Sequence, residues 1–110
     1  MALDATFRAL GDETRRAIIC RLADGELGLS ELAKPFNLSQ TGVSKHVGIL
    51  RKAGLLDVEK RGRVRYCKLN GAALKDASDW LDDYAPFWTN QVENLTNFLE
   101  SKAKVDDDFR

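Results

Sequence analysis

The chain has 110 residues, enough for one hydrophobic core and too few for a catalytic domain with a second module. Its 44% hydrophobic and 31% charged residues are the composition of a globular protein, and no apolar run reaches membrane-spanning length, so a cytoplasmic location is expected. The net charge of zero conceals a division: residues 1–69 carry 13 Lys and Arg against 8 Asp and Glu, residues 70–110 carry 4 against 9, and within 39–69 the counts are 8 and 2. A polyanion has a place to sit in that middle segment, while the acidic C-terminal half reads as a solvated face.

In chain order, a first short helix sets Leu3, Phe7 and Leu10 on one side and stops at Gly11. Asp12 is an N-cap for a second helix to about Ala23, in which Ile18, Ile19 and Leu22 supply core and Asp24-Gly25 ends the run. Ser30 is expected to cap a third helix, SELAKPF, with Leu32, Ala33 and Phe36 inward and Pro35 near its end. Asn37-Leu38 form a turn and Ser39 caps the next helix, which gives the spacing of a helix-turn-helix.

That fourth helix has Val43, Val47 and Leu50 at i, i+4 and i+7, an inward stripe. At 100° per residue Thr41, Ser44, Lys45, Gly48 and Lys52 point away from it, and Gln40 flanks the N-terminal end. Gln40, Thr41, Ser44 and Lys45 are therefore the candidates for reading base edges in a major groove, where glutamine suits adenine and lysine suits guanine. Gly48 lets the helix approach closely. His46, the single histidine, lies at the edge of the stripe; a half-buried structural role and a backbone contact to DNA both remain open.

Ala53-Gly54 ends the helix, and two β-capable runs then flank Gly62-Arg63 as a hairpin. With that turn Glu59 faces Tyr66 and Asp57 faces Lys68. Arg61, Arg63 and Arg65 at the tip, with Ser39, His46, Arg51 and Lys52, are the candidates for backbone or minor-groove contact. From Ala72 a helical seam runs through Ala77, Leu81, Tyr84, Trp88, Val92, Leu95 and Leu99, flanked by Trp80, Phe87 and Phe98. So much apolar surface points to a dimer interface, which Leu3 and Phe7 join, although packing within the chain is the alternative. Pro86 predicts a kink or two helices meeting near Ala85.

The expected architecture is mainly α with a small β-hairpin: a winged helix-turn-helix of about five helices and a two-stranded wing. One domain spans 1–101, with a DNA-reading part at 30–69, dimerisation helices at 2–10 and 72–101, and a frayed tail at 102–110. The expected partners are double-stranded DNA and a second copy of the chain, with no membrane, no cofactor and no metal. One histidine, no glycine-rich phosphate loop and no nucleophile beside a base argue against an enzyme.

With these residues in place the chain resembles the ArsR/SmtB family of bacterial winged-helix transcriptional regulators over about residues 3–100, through FRALGDETRRAIICRL, ELAKPFNLSQTGVSKHVGILRKAGLL and EKRGRVRYCKL. The resemblance implies a homodimer joined through its first and last helices, bound to an imperfect palindrome and usually repressing transcription. It also exposes departures. Where arsenic-sensing members carry ELCVCDL-like cysteines, this chain has Glu26, Leu27, Gly28, Leu29, Ser30, Glu31 and Leu32. Where zinc-sensing members use Asp, His, His and Glu, the last helix has Asp79, Asp82, Asp83 and Glu93 with no histidine, and carboxylates alone hold borderline metals weakly. It is similar instead to the metal-independent branch, whose DWL...Y..FW pattern is matched by Asp79, Trp80, Leu81, Tyr84, Phe87 and Trp88.

Cys20 and Cys67 are both expected as small core fillers, with a thiol-responsive repressor as the alternative. A winged-helix protein-interaction module is the second alternative. The effector stays open: none, or a small apolar molecule near Trp80, Phe87, Trp88 and the first helix.

Overall fold

Helix α1 (Leu3–Leu10) meets helix α2 (Glu13–Leu22) through Gly11 and Asp12. The Asp12 Oδ1 accepts from the Arg15 backbone N–H at 3.0 Å, so the predicted N-cap is in place. Arg15 Nε donates to the Ala9 carbonyl at 2.7 Å and Arg16 Nη1 to that of Leu10 at 2.8 Å. Two cations thus close the C-terminal end of α1, where the helix dipole favours positive charge. Ile18 and Leu22 are buried, but Cys20 is exposed. The expectation that Cys20 fills core is corrected: it lies 200° around α2 from Ile18, on the water side. The structure is a computed structural model that describes residues 3–108, with side chains to Glu100; Ala2 of the expected dimerisation helix and Phe109 and Arg110 of the expected tail lie outside the described residues.

Strand β1 (Leu27–Gly28) runs without a linker into helix α3 (Leu29–Ala33). Here too an expectation changes. Gly28, extended at φ −65° and ψ 149°, is the N-cap residue and provides no side-chain cap, so Ser30 sits inside the first turn. Leu32 and Ala33 point inward as expected, with Phe36 half-buried against the same core. Helix α4 (Gln40–Lys52) starts at Ser39, whose Oγ accepts from Gly42 N–H at 3.0 Å. It ends in a Schellman motif: Leu55 N–H donates to Leu50 O at 2.9 Å and Gly54 N–H to Arg51 O at 3.0 Å, with Gly54 at φ 79°, a value that favours glycine.

Strands β2 (Leu56–Arg61) and β3 (Val64–Leu69) pair antiparallel in the predicted register, Asp57 opposite Lys68 and Glu59 opposite Tyr66. Gly62, at φ 63°, holds the first central position of the two-residue turn, as a type II′ hairpin requires. The carboxylate of Asp57 accepts from Asn70 Nδ2 at 3.3 Å. The wing is not two-stranded: β1 adds to β3, giving a sheet of order β1-β3-β2. Two residues have no readable period, so the third strand was invisible in the sequence.

Helix α5 (Gly71–Asp82) is capped by Asn70 Oδ1, which accepts from Ala72 N–H at 3.0 Å. Helix α6 (Ala85–Asp108) begins with Pro86 in its first turn, where the missing N–H costs nothing. The seam is therefore carried by two helices meeting near Ala85, and the backbone of α6 continues past residue 101 to Asp108. The described helices number six.

Residues up to Ala77 form one compact unit and those from Ser78 onward a second. In the first unit Ile18, Leu32, Val43, Leu50, Leu55, Leu56 and Cys67 are fully enclosed. Each large apolar side chain removed from water in this way contributes about 1.5–3 kcal/mol. In the second, Leu81, Tyr84, Trp88, Val92, Leu95 and Leu99 are 40–58% exposed.

Candidate nucleic-acid interface

The α4 stripe is anchored as predicted, with Val43 and Leu50 fully enclosed and Val47 nearly so. Anchoring that face turns Gln40, Thr41 and Lys45 to solvent and leaves Ser44 half-buried. Ser39 uses its Oγ lone pair for the cap, so its own O–H remains to donate. A Cβ added at Gly48 meets nothing within 4 Å, in keeping with a surface another molecule can approach.

An open cleft of about 470 Å³ lies between the start of α4 and the wing, lined by Leu29, Ser30, Gln40, Thr41, Ser44, Arg63, Val64 and Arg65. Residues some twenty positions apart in sequence thus form one wall of hydrogen-bonding side chains and one wall of guanidinium groups. A smaller cleft, about 100 Å³, brings Arg51 and Arg65 together with Ser44 and Gly48.

The pleat divides the wing cations between two faces. Val58 pairs with buried Cys67, so Lys60 and Arg65, themselves paired, share the sheet face turned toward the core and α4. Two like charges directly opposite each other repel, and a phosphate between them would relieve that repulsion. Lys60 was not singled out from the sequence; the alternation in LDVEKR, once the turn was fixed, was the available signal.

Arg61 lies on the other face. Its Nη1 and Nη2 meet Glu26 Oε1 and Oε2 at 2.7 and 3.0 Å, Nη2 also meets Glu59 Oε2 at 3.1 Å, and the guanidinium lies 4.7 Å from the Tyr66 ring centroid. The structure therefore separates Arg61 from the cleft that gathers Arg63 and Arg65. His46 is tied inward. Its Nδ1 is 3.4 Å from Arg15 Nη1 and 4.0 Å from Asp12 Oδ1, with the side chain 22% exposed. A guanidinium only donates, so Nδ1 accepts from Arg15 only in the tautomer that carries its proton on Nε2. Lys52 and Arg51 are exposed in the last turn of α4.

A helix-turn-helix domain family matches residues 10–59. Among curated relatives, the transcriptional repressor SdpR of Bacillus subtilis is 32% identical over 72% of this chain and 88% of its own length. The HTH-type transcriptional regulator Rv2034 of Mycobacterium tuberculosis is 34% identical over 91% of each. A crystal structure of the ArsR family transcriptional regulator RHA00566 superposes with a TM-score of 0.75 at 36% identity, covering 81% of this chain and 98% of that one.

The chain belongs to the ArsR/SmtB family.

As an ArsR/SmtB protein it is a DNA-binding transcriptional regulator and not an enzyme. Within the family it lacks thiolates at Gly28 and Ser30. Among the described residues no three of His, Cys, Asp and Glu gather closely enough to hold a metal ion. No described helix is long and apolar enough to cross a membrane.

Proposed function

We propose that this ArsR/SmtB protein is a metal-independent homodimeric repressor that binds a palindromic operator through the cleft between α4 and the wing. The observation that carries the reading is the convergence of Gln40, Thr41 and Ser44 with Arg63 and Arg65 on one open cleft. In this reading Gln40, Thr41, Ser44 and Lys45 meet base edges in the major groove. Ser39, Arg51, Lys52, Arg63 and Arg65 hold the backbone or minor groove, and Lys60 joins them beside Arg65. His46 and Arg61, both engaged by other residues of the chain, are assigned to holding the fold. The functional domain is taken as 1–101, with its DNA-reading part at 30–69.

The second copy is assigned to the apolar surface. Leu81, Tyr84, Trp88, Val92, Leu95 and Leu99, at helical spacing, are each 40% or more exposed, the kind of apolar surface that marks an interaction site, and Leu3 and Phe7 are part of the proposed interface. Repression is assigned by analogy with SdpR, a transcriptional repressor. No cysteine or histidine set supports a metal trigger, and a buried Cys67 does not favour the thiol-responsive alternative.

Arg63→Ala tests the cleft. Specific and non-specific affinity should fall together, and the slope of log K against log salt should flatten by roughly 1 per subunit. An unchanged slope removes Arg63 from the phosphate contacts. Wild-type protein that binds no duplex at low salt returns the chain to the protein-interaction alternative.

A further inference from the structure

The wing sheet has β3 in the middle and β1 and β2 at its edges. On its outer face Arg61, at the end of β2, reaches over Tyr66 of β3 to Glu26, the residue just before β1. The contact is bidentate at 2.7 and 3.0 Å, the geometry in which a guanidinium and a carboxylate hold each other's orientation as well as position. Glu59 adds a third contact at 3.1 Å from the same edge strand. The Arg61 guanidinium beside Glu26 holds that carboxyl below the usual carboxylate range.

Two features separate this cluster from the phosphate-binding surface. Glu26 and Glu59 already engage its one guanidinium, so Arg61 is not free to hold a phosphate. The cluster also ties together the two edge strands, which pair with β3 and not with each other; β1 is two residues long and continues directly into α3, the first helix of the helix-turn-helix.

We infer that Arg61 and Glu26 are positioning residues for DNA binding: together they clamp the outer strand of the wing to the strand that leads into the helix-turn-helix, and so set where Arg63 and Arg65 stand beside α4. The inference rests on the proposed DNA-reading cleft. Both partners are substantially exposed, 45% for Arg61 and 37% for Glu26, so loss of the pair should leave the fold intact. Its effect is carried by the wing.

The test uses the full chain on one duplex, with melting curves to establish that each variant is folded. Glu26→Gln removes a negative charge from a protein that binds a polyanion, so simple electrostatics predicts tighter binding. The clamp predicts binding weaker by roughly threefold to tenfold. Arg61→Glu should bind less well still, and the exchanged pair Glu26→Arg with Arg61→Glu should recover most of that loss. Because the clamp acts through the tip, Glu26→Gln should cost less when Arg63→Ala is already present. A Glu26→Gln chain that binds as tightly as wild type or tighter overturns the clamp, as does an exchanged pair no better than Arg61→Glu alone. Equal costs of Glu26→Gln with and without Arg63 overturn it too. Each of these leaves the DNA-reading cleft standing, which falls only if the wild-type chain binds no duplex.

Discussion

Arg15 shows how much a single side chain can organise where three helices meet. Besides closing the end of α1, it donates through Nη2 to the Arg8 carbonyl at 3.2 Å and meets His46 Nδ1 at 3.4 Å, so α1, α2 and α4 share one guanidinium. The two cysteines illustrate the opposite lesson. Both looked like core residues, yet only Cys67 is enclosed, on the inner face of β3, where burial pushes its thiol pKa up. A protonated, enclosed thiol is a poor nucleophile. In the native protein a thiol reagent should therefore modify Cys20 within the first phase and reach Cys67 only on unfolding. Two equivalents of native labelling at equal rates would contradict this. Cys20 lies in an apolar stretch, but its angle around α2 takes it off the core-facing side. The Val43, Val47 and Leu50 stripe, where the angle was followed, came out enclosed.

At the scale of elements, the caps account for most of what could be read in advance. Asp12, Ser39, the Ala53-Gly54 stop and the Gly62 turn each have a local chemical cause that needs no tertiary partner, and each is where the sequence pattern places it. Ser30 and β1 escaped for the converse reason. A two-residue strand exists only because β3 lies alongside, and once Gly28 is paired with Tyr66 the helix must begin one residue before Ser30. The joint between α1 and α2 makes a prediction of its own. The Arg15 backbone N–H, and next the charge of the Arg15 guanidinium, hold the Asp12 carboxyl below its ordinary pKa. Its contribution to stability is therefore complete above the ordinary carboxylate value and is lost as pH falls through the lowered folded value. Asp12→Asn keeps a capping oxygen without the charge. It should melt below wild type at neutral pH, and the gap should close as pH falls below the ordinary carboxylate range. A gap independent of pH would show that the charge contributes nothing.

For the whole molecule, a formal charge of zero hides the property that matters, since residues 39–69 carry a cationic excess that puts Arg63 and Arg65 on the cleft, and the excess acid lies in the C-terminal half. The seam was legible as a period, and the expected break near Ala85 is a turn between α5 and α6. What covers the seam was not legible in the same way, because an apolar arc specifies burial without naming its partner. A second copy in that role, as proposed, requires the operator to repeat what one subunit reads. In vitro selection of duplexes by the full-length wild-type protein tests this most directly. The account predicts a consensus with two half-sites related by a two-fold axis, their centres about one helical turn of DNA or a multiple apart. Enrichment of a single asymmetric site, or of none, would contradict it.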